Sequence, residues 1–277
     1  MNCFYINLDK ATERRSSFEN NFLKNKNDQW NLSRFPAIDT NYVENNKVKG
    51  GISRSNKACN LSHKFVIKKN LDSKEPVFIM EDDTIIGKET CKLIDATLDS
   101  LAKDKSNIEW DILYTDVCIT VATTLIELIH KKQSLFKKKK FELLDLSKFR
   151  FAGLSAYILN PNSIKKIYKL INQEESFNLP LDLYIRKLIH LNKLKGFVIF
   201  PFVTSLSKKS LISQIASTET SSADLIWNTF RMMIWTEKNI ETYKPLLEKI
   251  KQTMCDEESN QFGTIISSLI SNKFTLK

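Results

Sequence analysis

The sequence predicts an α/β domain with a mostly parallel sheet flanked by helices, followed by a helical C-terminal extension. Three observations predict it. Short apolar runs without polar alternation, such as Val77-Phe78-Ile79-Met80, are separated by segments with helical spacing. Strands alternating with helices indicate a parallel sheet, and an unalternated run fits a strand buried on both faces. Several runs stop at acids or amides: Asn7 and Asp9, Glu81-Asp82-Asp83, and Asp116. Ligands of open sheets bind beyond the carboxyl ends of strands, so these groups are expected to converge on one polar site. From about Ser217 the pattern reads as helices, which divides the chain into residues 1–216 and an extension over 217–277 packed on it.

The elements follow in order. Cys3 to Leu8 reads as a strand, and Thr12 to Leu23 as a helix with Thr12 as N-cap and Phe18 and Phe22 one turn apart. Arg34 to Ile38 is a second strand, and Asn41 to Arg54, with Gly50-Gly51, a loop. Ser55 to Asn70 reads as a helix turning Ala58, Leu61 and Phe65 toward a core. After the strand at 77–80 come a helix over Glu89 to Ala102 and a buried strand over Ile112 to Tyr114. Val117 to Ile126 has the length of a core strand, and Phe151 to Leu159 is strand-like around Gly153. Asn160-Pro161 opens a helix over Asn162 to Asn172, and Phe197 to Phe200 is a further strand. Ala223 to Trp235 and Tyr243 to Thr253 are helical, with Ile226, Phe230, Met233 and Ile234 on one stripe that fits a cap on the sheet or a membrane-surface element.

Composition sets further bounds. The chain has 277 residues, 42% of them hydrophobic and 27% charged, and no segment reaches the roughly 18 apolar residues of a membrane span. No basic n-region or long h-region opens the chain, so it is expected in the cytosol or on the inner face of a membrane. The five cysteines are scattered and never spaced Cys-x-x-Cys, which suits reduced thiols in or near the core. With three histidines and none near a cysteine pair, a zinc site is not expected. The net charge of +10 is mostly lysine, at Lys131-Lys132, Lys137 to Lys140 and Lys208-Lys209. It fits a phosphate-bearing substrate or peripheral contact with an anionic membrane, or a solvated lysine face. No zinc finger, RNA-binding signature or heptad zipper is present, so nucleic acid is not an expected partner.

The chemistry centres on Glu81-Asp82-Asp83. Three adjacent carboxylates where a buried strand ends repel one another, and a bound cation resolves the repulsion. All-oxygen ligands suit Mn²⁺ or Mg²⁺. In an extended chain residues 81 and 83 share a side, so Glu81 and Asp83 are the expected metal ligands while Asp82 points away; a loop geometry would change which pair binds. A solvated acidic turn is the bland alternative. The six glycines form neither Gly-x-Gly-x-x-Gly nor a P-loop, so a bound diphosphate would depend on the metal, with Arg14, Arg15 or lysines assisting.

These blocks resemble glycosyltransferase family 25, the lipooligosaccharide galactosyltransferase-like family that also includes collagen galactosyltransferases. Tyr5-Ile6-Asn7-Leu8-Asp9 with Glu13-Arg14-Arg15 is similar to its opening block, and Arg34 to Asp39 to the next. Ala58-Cys59-Asn60-Leu61-Ser62-His63 resembles its Gly-Cys-x-Leu-Ser-His helix, and Phe78 to Asp83 its Leu-Glu-Asp-Asp strand. Trp110 to Tyr114, Gly153 to Leu159 and Leu179-Pro180-Leu181-Asp182 resemble later blocks. The chain departs from the family where Gly51 to Ala58 replaces Gly-x-x-Gly before the cysteine, and nothing after Ser217 matches. The resemblance implies a GT-A-like (Rossmann-like) fold and an inverting transfer of a sugar, most often galactose from UDP-galactose, onto a lipooligosaccharide, lipopolysaccharide or other glycan or glycolipid. A degenerate, catalytically silent binding or effector protein on the same fold is the alternative.

Roles follow. Glu81 and Asp83 hold the metal, and Asp82 joins them at the diphosphate. Asn7 and Asp9 are candidates for the nucleoside, and Arg14 and Arg15 for phosphate or for the surface. His63 is either a donor-site group or a structural hydrogen-bond partner. An inverting transfer needs a base for the acceptor hydroxyl. Asp182 is the first candidate, with an N-cap role as its alternative; Asp116 and Asp111 follow.

Overall fold

A computed structural model describes residues 1–103, 108–138, 140–173, 177–207 and 222–237. Its main sheet has seven strands: β1 (Asn2–Asn7), β2 (Asn31–Pro36), β3 (Val77–Glu81), β5 (Ile112–Tyr114), β7 (Glu142–Asp145), β9 (Ala156–Leu159) and β10 (Gly196–Phe200). The order is β2-β1-β3-β9-β5-β10-β7. β2, β1, β3, β5 and β10 run parallel; β9, between β3 and β5, and β7, at the edge, run against them. This is the mostly parallel α/β sheet of the GT-A-like class.

Both faces of the sheet are buried. Phe4, Ile6, Val77, Ile79, Tyr114 and Tyr157 pack into one apolar cluster. Their alternate neighbours Cys3, Tyr5, Phe78, Met80, Leu113 and Ile158 pack into another. The period of two distributes a continuous apolar run to two cores, which is why the strands show no polar alternation. The second core is strongly aromatic: Tyr5 stacks on Phe18 with ring centroids 4.6 Å apart, and Trp30 meets Phe78 edge-on.

The helices are α1 (Thr12–Asn25), α2 (Thr40–Asn45), α3 (Arg54–Lys69), α4 (Thr90–Lys103), α5 (Ala122–Lys138), α6 (Ile164–Ile171), α7 (Leu181–His190) and α8 (Ser222–Ile234). Two small sheets complete the frame: β4 (Thr84–Ile86) with β11 (Thr204–Leu206), and β6 (Cys118–Ile119) with β8 (Phe151–Ala152). No described helix is long and apolar enough to cross a membrane.

Several local expectations change. α1 is preceded by Ala11 at the N-cap, so Thr12 opens the helix without capping it. The loop expected at 41–54 contains α2, capped by Asp39, whose side chain accepts from the Tyr42 N–H. α3 buries Ser62, His63, Val66 and Ile67 with Ala58, and leaves Leu61 and Phe65 half-buried, because its polar groups face inward. The strand expected from Phe151 to Leu159 is two strands separated by Gly153 to Ser155, where Gly153 takes a φ of +97°. Of the core strand expected over Val117 to Ile126 only Cys118–Ile119 forms, as β6, and α5 begins at Ala122. Leu125, Leu128, Ile129 and Lys132 are buried at i, i+3, i+4 and i+7, a helical period that run length alone conceals. Asn160 does open the next helical turn, its side chain accepting from the Asn162 N–H.

The C-terminal part contributes to the core. From α8, Phe230, Met232, Met233 and Ile234 join the first cluster. Lys132, of a run expected to include solvated lysines, is buried, and its Nζ donates to the carbonyls of Met233 and Trp235 at 2.6 and 2.7 Å. Burial pushes its ammonium down to about 7. The expected helix Tyr243 to Thr253, the Lys208-Lys209 pair and the 216/217 boundary lie outside the described residues.

Arg231 fastens α8 to the carboxyl end of β5. Its guanidinium meets both oxygens of Asp116, at 3.0 Å from Nε and 2.7 Å from Nη2, and also the Ser155 hydroxyl. Both partners are almost fully buried. Removing one member of such a pair strands a buried charge, which costs about 3–5 kcal/mol. Arg231→Met is therefore expected to lower unfolding stability by that amount in urea titration. Arg231→Met with Asp116→Leu recovers part of the loss.

Candidate active site

A cavity of about 350 Å³ opens beyond the carboxyl ends of β1, β2 and β3, the edge where ligands bind in open sheets. Leu8, Lys10 and Arg14 form one wall, Ile38 to Thr40 another, and Ser55, Cys59 and His63 of α3 a third. Glu81 and Asp82 reach it from the end of β3.

Asn7, buried at the end of β1, ties the walls together. Its amide NH₂ donates to Asp82 at 2.7 Å and to the Ala11 carbonyl at 3.1 Å. Its amide oxygen accepts from Arg15 Nε and Arg34 Nε, each at 3.1 Å. Two donated and two accepted bonds use the full capacity of the amide. Asn7 therefore organises the site, and a nucleoside would have to displace one of these partners. Asp9 lies outside the cavity lining, exposed and ion-paired with Arg34. The Arg34 pair holds the Asp9 carboxyl below its usual range. The two arginines of α1 diverge: Arg15 braces Asn7 and the Asp9 carbonyl, whereas Arg14 reaches over the acids.

β3 ends at Glu81, and Asp82 and Asp83 form the turn into β4, so strand alternation stops at Glu81. Asp82 does not point away as expected; it lines the cavity and is held by Asn7 and Arg14. Asp83 lies 3.5 Å from Arg14. Glu81 meets His63 instead, Oε1 to Nε2 at 3.2 Å. His63 is buried, and its Nδ1 lies 3.0 Å from the Tyr157 hydroxyl. It is thus a structural partner and a cavity wall at once.

Charge is unevenly shared among the three acids. Burial pushes Glu81 up, but the His63 hydrogen bond and the charges of His63, Arg231 and Arg14 outweigh it, and the carboxyl falls below its usual value. Burial raises Asp82 against the pull of Arg14 and Asn7. Burial, with the charge of Glu81, pushes Asp83 up to about 6. Glu81 and Asp82 line the cavity and Asp83 does not; the charge that Glu81 places on Asp83 is of the kind a hard divalent cation would relieve.

The three base candidates separate. Asp182 sits in the first turn of α7, but Pro180 is the N-cap, so Asp182 caps nothing there; its Oδ2 accepts from the Gly153 N–H at 2.8 Å. Asn60 of α3 sets that helix start, accepting from the Leu181 N–H at 2.8 Å and donating to the Leu179 carbonyl. Asp116 is at the correct end of the sheet but sealed under Arg231. Asp111 precedes β5, at the opposite end from Glu81, and pairs with Lys166 at 2.8 Å. That placement removes it from the site.

Sequence reasoning missed four contributors. Arg231 announces itself only as a lone arginine in the apolar stripe of α8. Arg34 and Tyr157 come from strands whose neighbours are known only after folding. Cys59 stands four residues before His63, one helical turn, and shares its face. It is exposed rather than in the core, and Cys59, His63 and Glu81 bring ligand-type atoms within 4.8 Å of one another.

A cavity lined by consecutive acids under a rim arginine thus sits at the carboxyl edge of a GT-A-like sheet. The chain belongs to glycosyltransferase family 25 (LPS biosynthesis protein), whose sequence profile matches residues 1–185. No curated protein matches the chain.

Asp83 gives a pH prediction. Below its ordinary value of 3.8 it is protonated in both folded and unfolded chains. As pH rises from there to about 6, only the unfolded chain releases the proton, and stability falls. Above that the cost is on the order of 3 kcal/mol at most. In chelator-treated protein, Asp83→Asn is expected to melt higher than wild type at pH 8, with the gain shrinking toward pH 4. A lower melting point at pH 8 would instead mean that Arg14 already stabilises the carboxylate.

Proposed function

We propose that the chain transfers a sugar from a nucleotide diphosphate donor, with UDP-galactose the first choice, onto a glycan or glycolipid of the lipopolysaccharide type, with inversion. The observation that carries this reading is the cavity of the family-25 domain, where Glu81 and Asp82 line the end of β3 and Arg14 pairs with Asp82 above it. Glu81 and Asp83 would hold Mn²⁺ or Mg²⁺, which supplies counter-charge to a diphosphate and its leaving group. Arg14 is half exposed over Asp82 and Asp83, so its guanidinium can exchange carboxylate for phosphate oxygens. Asn7, with Arg15 and Arg34 behind it, fixes Asp82 and so the depth of the cavity.

Asp182 is assigned as the base that takes the proton of the acceptor hydroxyl. Its Gly153 contact uses one oxygen, and Asn60 holds the start of α7 that carries it. Asp116 is assigned to holding Arg231, whose charge bears on Glu81 and Asp83. The net charge of +10 suits an acceptor bearing phosphate, and with it peripheral contact with an anionic surface.

The test is hydrolysis and transfer with UDP-galactose, UDP-glucose and their N-acetyl forms, with and without Mn²⁺. Turnover of one donor is expected only with metal, and Glu81→Gln is expected to lower it by about 10²-fold or more. Asp182→Asn is expected to lower transfer by about 10²–10⁴-fold and to remove the low-pH limb of the rate profile. Near-normal transfer with an unchanged profile would overturn the base assignment.

A further inference from the structure

We propose that Cys59, His63 and Glu81 form a binding site for zinc. It shares Glu81 with the Glu81–Asp83 corner, so zinc and the hard cation exclude one another. The second clause rests on the functional reading above; the first does not.

The geometry is that of a nearly assembled three-ligand site. Cys59 and His63 project from one face of α3, and Glu81 closes on them from the end of β3. Cys59 Sγ lies 3.9 Å and His63 Nε2 3.2 Å from Glu81 Oε1, and all three ligand atoms fall within 4.8 Å of one another. Zinc bound at about 2.0–2.3 Å from S, N and O places such atoms roughly 3.3–3.6 Å apart in a tetrahedron. The observed spacings need adjustments of only a few tenths of an ångström at Glu81 and a modest side-chain turn at Cys59. Mixed thiolate, imidazole and carboxylate ligands select zinc over magnesium or manganese, which prefer oxygen.

The outer contacts point the same way. Histidines that ligate metal donate their other ring N–H to a fixed acceptor, which sets the tautomer. Here the buried Tyr157 hydroxyl stands 3.0 Å from His63 Nδ1, leaving Nε2 to face Glu81 and Cys59. All three ligands also line the cavity, so a fourth position opens to solvent or to a bound molecule. Without metal, desolvation of the sulfur and the negative charges of Glu81 and Asp182 push the Cys59 thiol up; a bound cation replaces that proton.

Cobalt(II) reports the ligand set. Titrating the purified full chain, free of nucleotide, is expected to give a thiolate-to-cobalt charge-transfer band that saturates at one equivalent and is abolished by zinc. Cys59→Ser is expected to lose the band, and Cys118→Ser to keep it. Tyr157→Phe is expected to weaken affinity by about 10–100-fold. Mass-mapped alkylation of Cys59 in the wild-type chain, which needs no variant, is expected to slow when zinc is added. A band that survives Cys59→Ser, or alkylation of Cys59 indifferent to zinc, overturns the site. Raising Mn²⁺ is expected to weaken zinc binding several-fold; zinc binding indifferent to Mn²⁺ overturns the exclusion alone. Because these readouts involve no sugar nucleotide, failure of the transferase reading leaves them standing, and their failure leaves it standing.

Discussion

Negative charge at the end of a strand with no water on either side is the constraint around which this protein is arranged. β3 is fully buried from Val77 to Met80 and then delivers Glu81, Asp82 and Asp83 in succession. Such a sequence is tolerable only if cations and donors from elsewhere in the chain reach it. They come from three distant places: Arg14 on α1, His63 on α3 and Arg231 on α8. The compensation is incomplete at Asp83, which burial and Glu81 still hold near 6.

Asn7 shows how a neutral group can govern a charged one. A carboxylate in its place would add a fourth negative charge, and an aliphatic residue would release both arginines. The amide accepts from two arginines and donates to Asp82, so positive and negative partners meet across it without touching. α3 plays a comparable part on the other wall. It turns polar residues inward, Ser62 to the Ile38 N–H, His63 to Glu81 and Asn60 to the start of α7. The price of those inward polar groups is a weaker apolar stripe, which is why the apolar spacing of Ala58, Leu61 and Phe65 marked only one edge of the buried face.

Much of this was legible before folding. The unalternated apolar runs gave the parallel strands, and the abrupt change from Met80 to Glu81 marked the chemistry. The family blocks placed Asn7, Arg14, His63 and the acids in one constellation. What escaped were features that depend on long-range pairing. β9 inserts antiparallel between β3 and β5, and no local signal distinguishes it from a parallel strand. α5 begins within an apolar run long enough for a strand, and its period emerges only when Lys132 is counted on the buried face. The separation of Asp116 from Asp111, five residues apart but at opposite ends of β5, needed the strand direction. The nearness of Cys59 and His63 carries no Cys-x-x-Cys spacing to announce it, because the two stand one helical turn apart and meet Glu81 only once β3 is in place.

The position of β10 has a bearing on how this enzyme can be re-engineered. β10 joins β5 to β7, yet it begins at Gly196, after the family-matched segment ends at residue 185. Arg231 lies further on still. A graft cut at the edge of the recognisable family sequence would omit an interior rung of the sheet and leave Asp116 without its counter-ion. Any chimera meant to exchange donor preference between relatives has to carry its junction beyond α8, or confine the swap to the loops that wall the cavity.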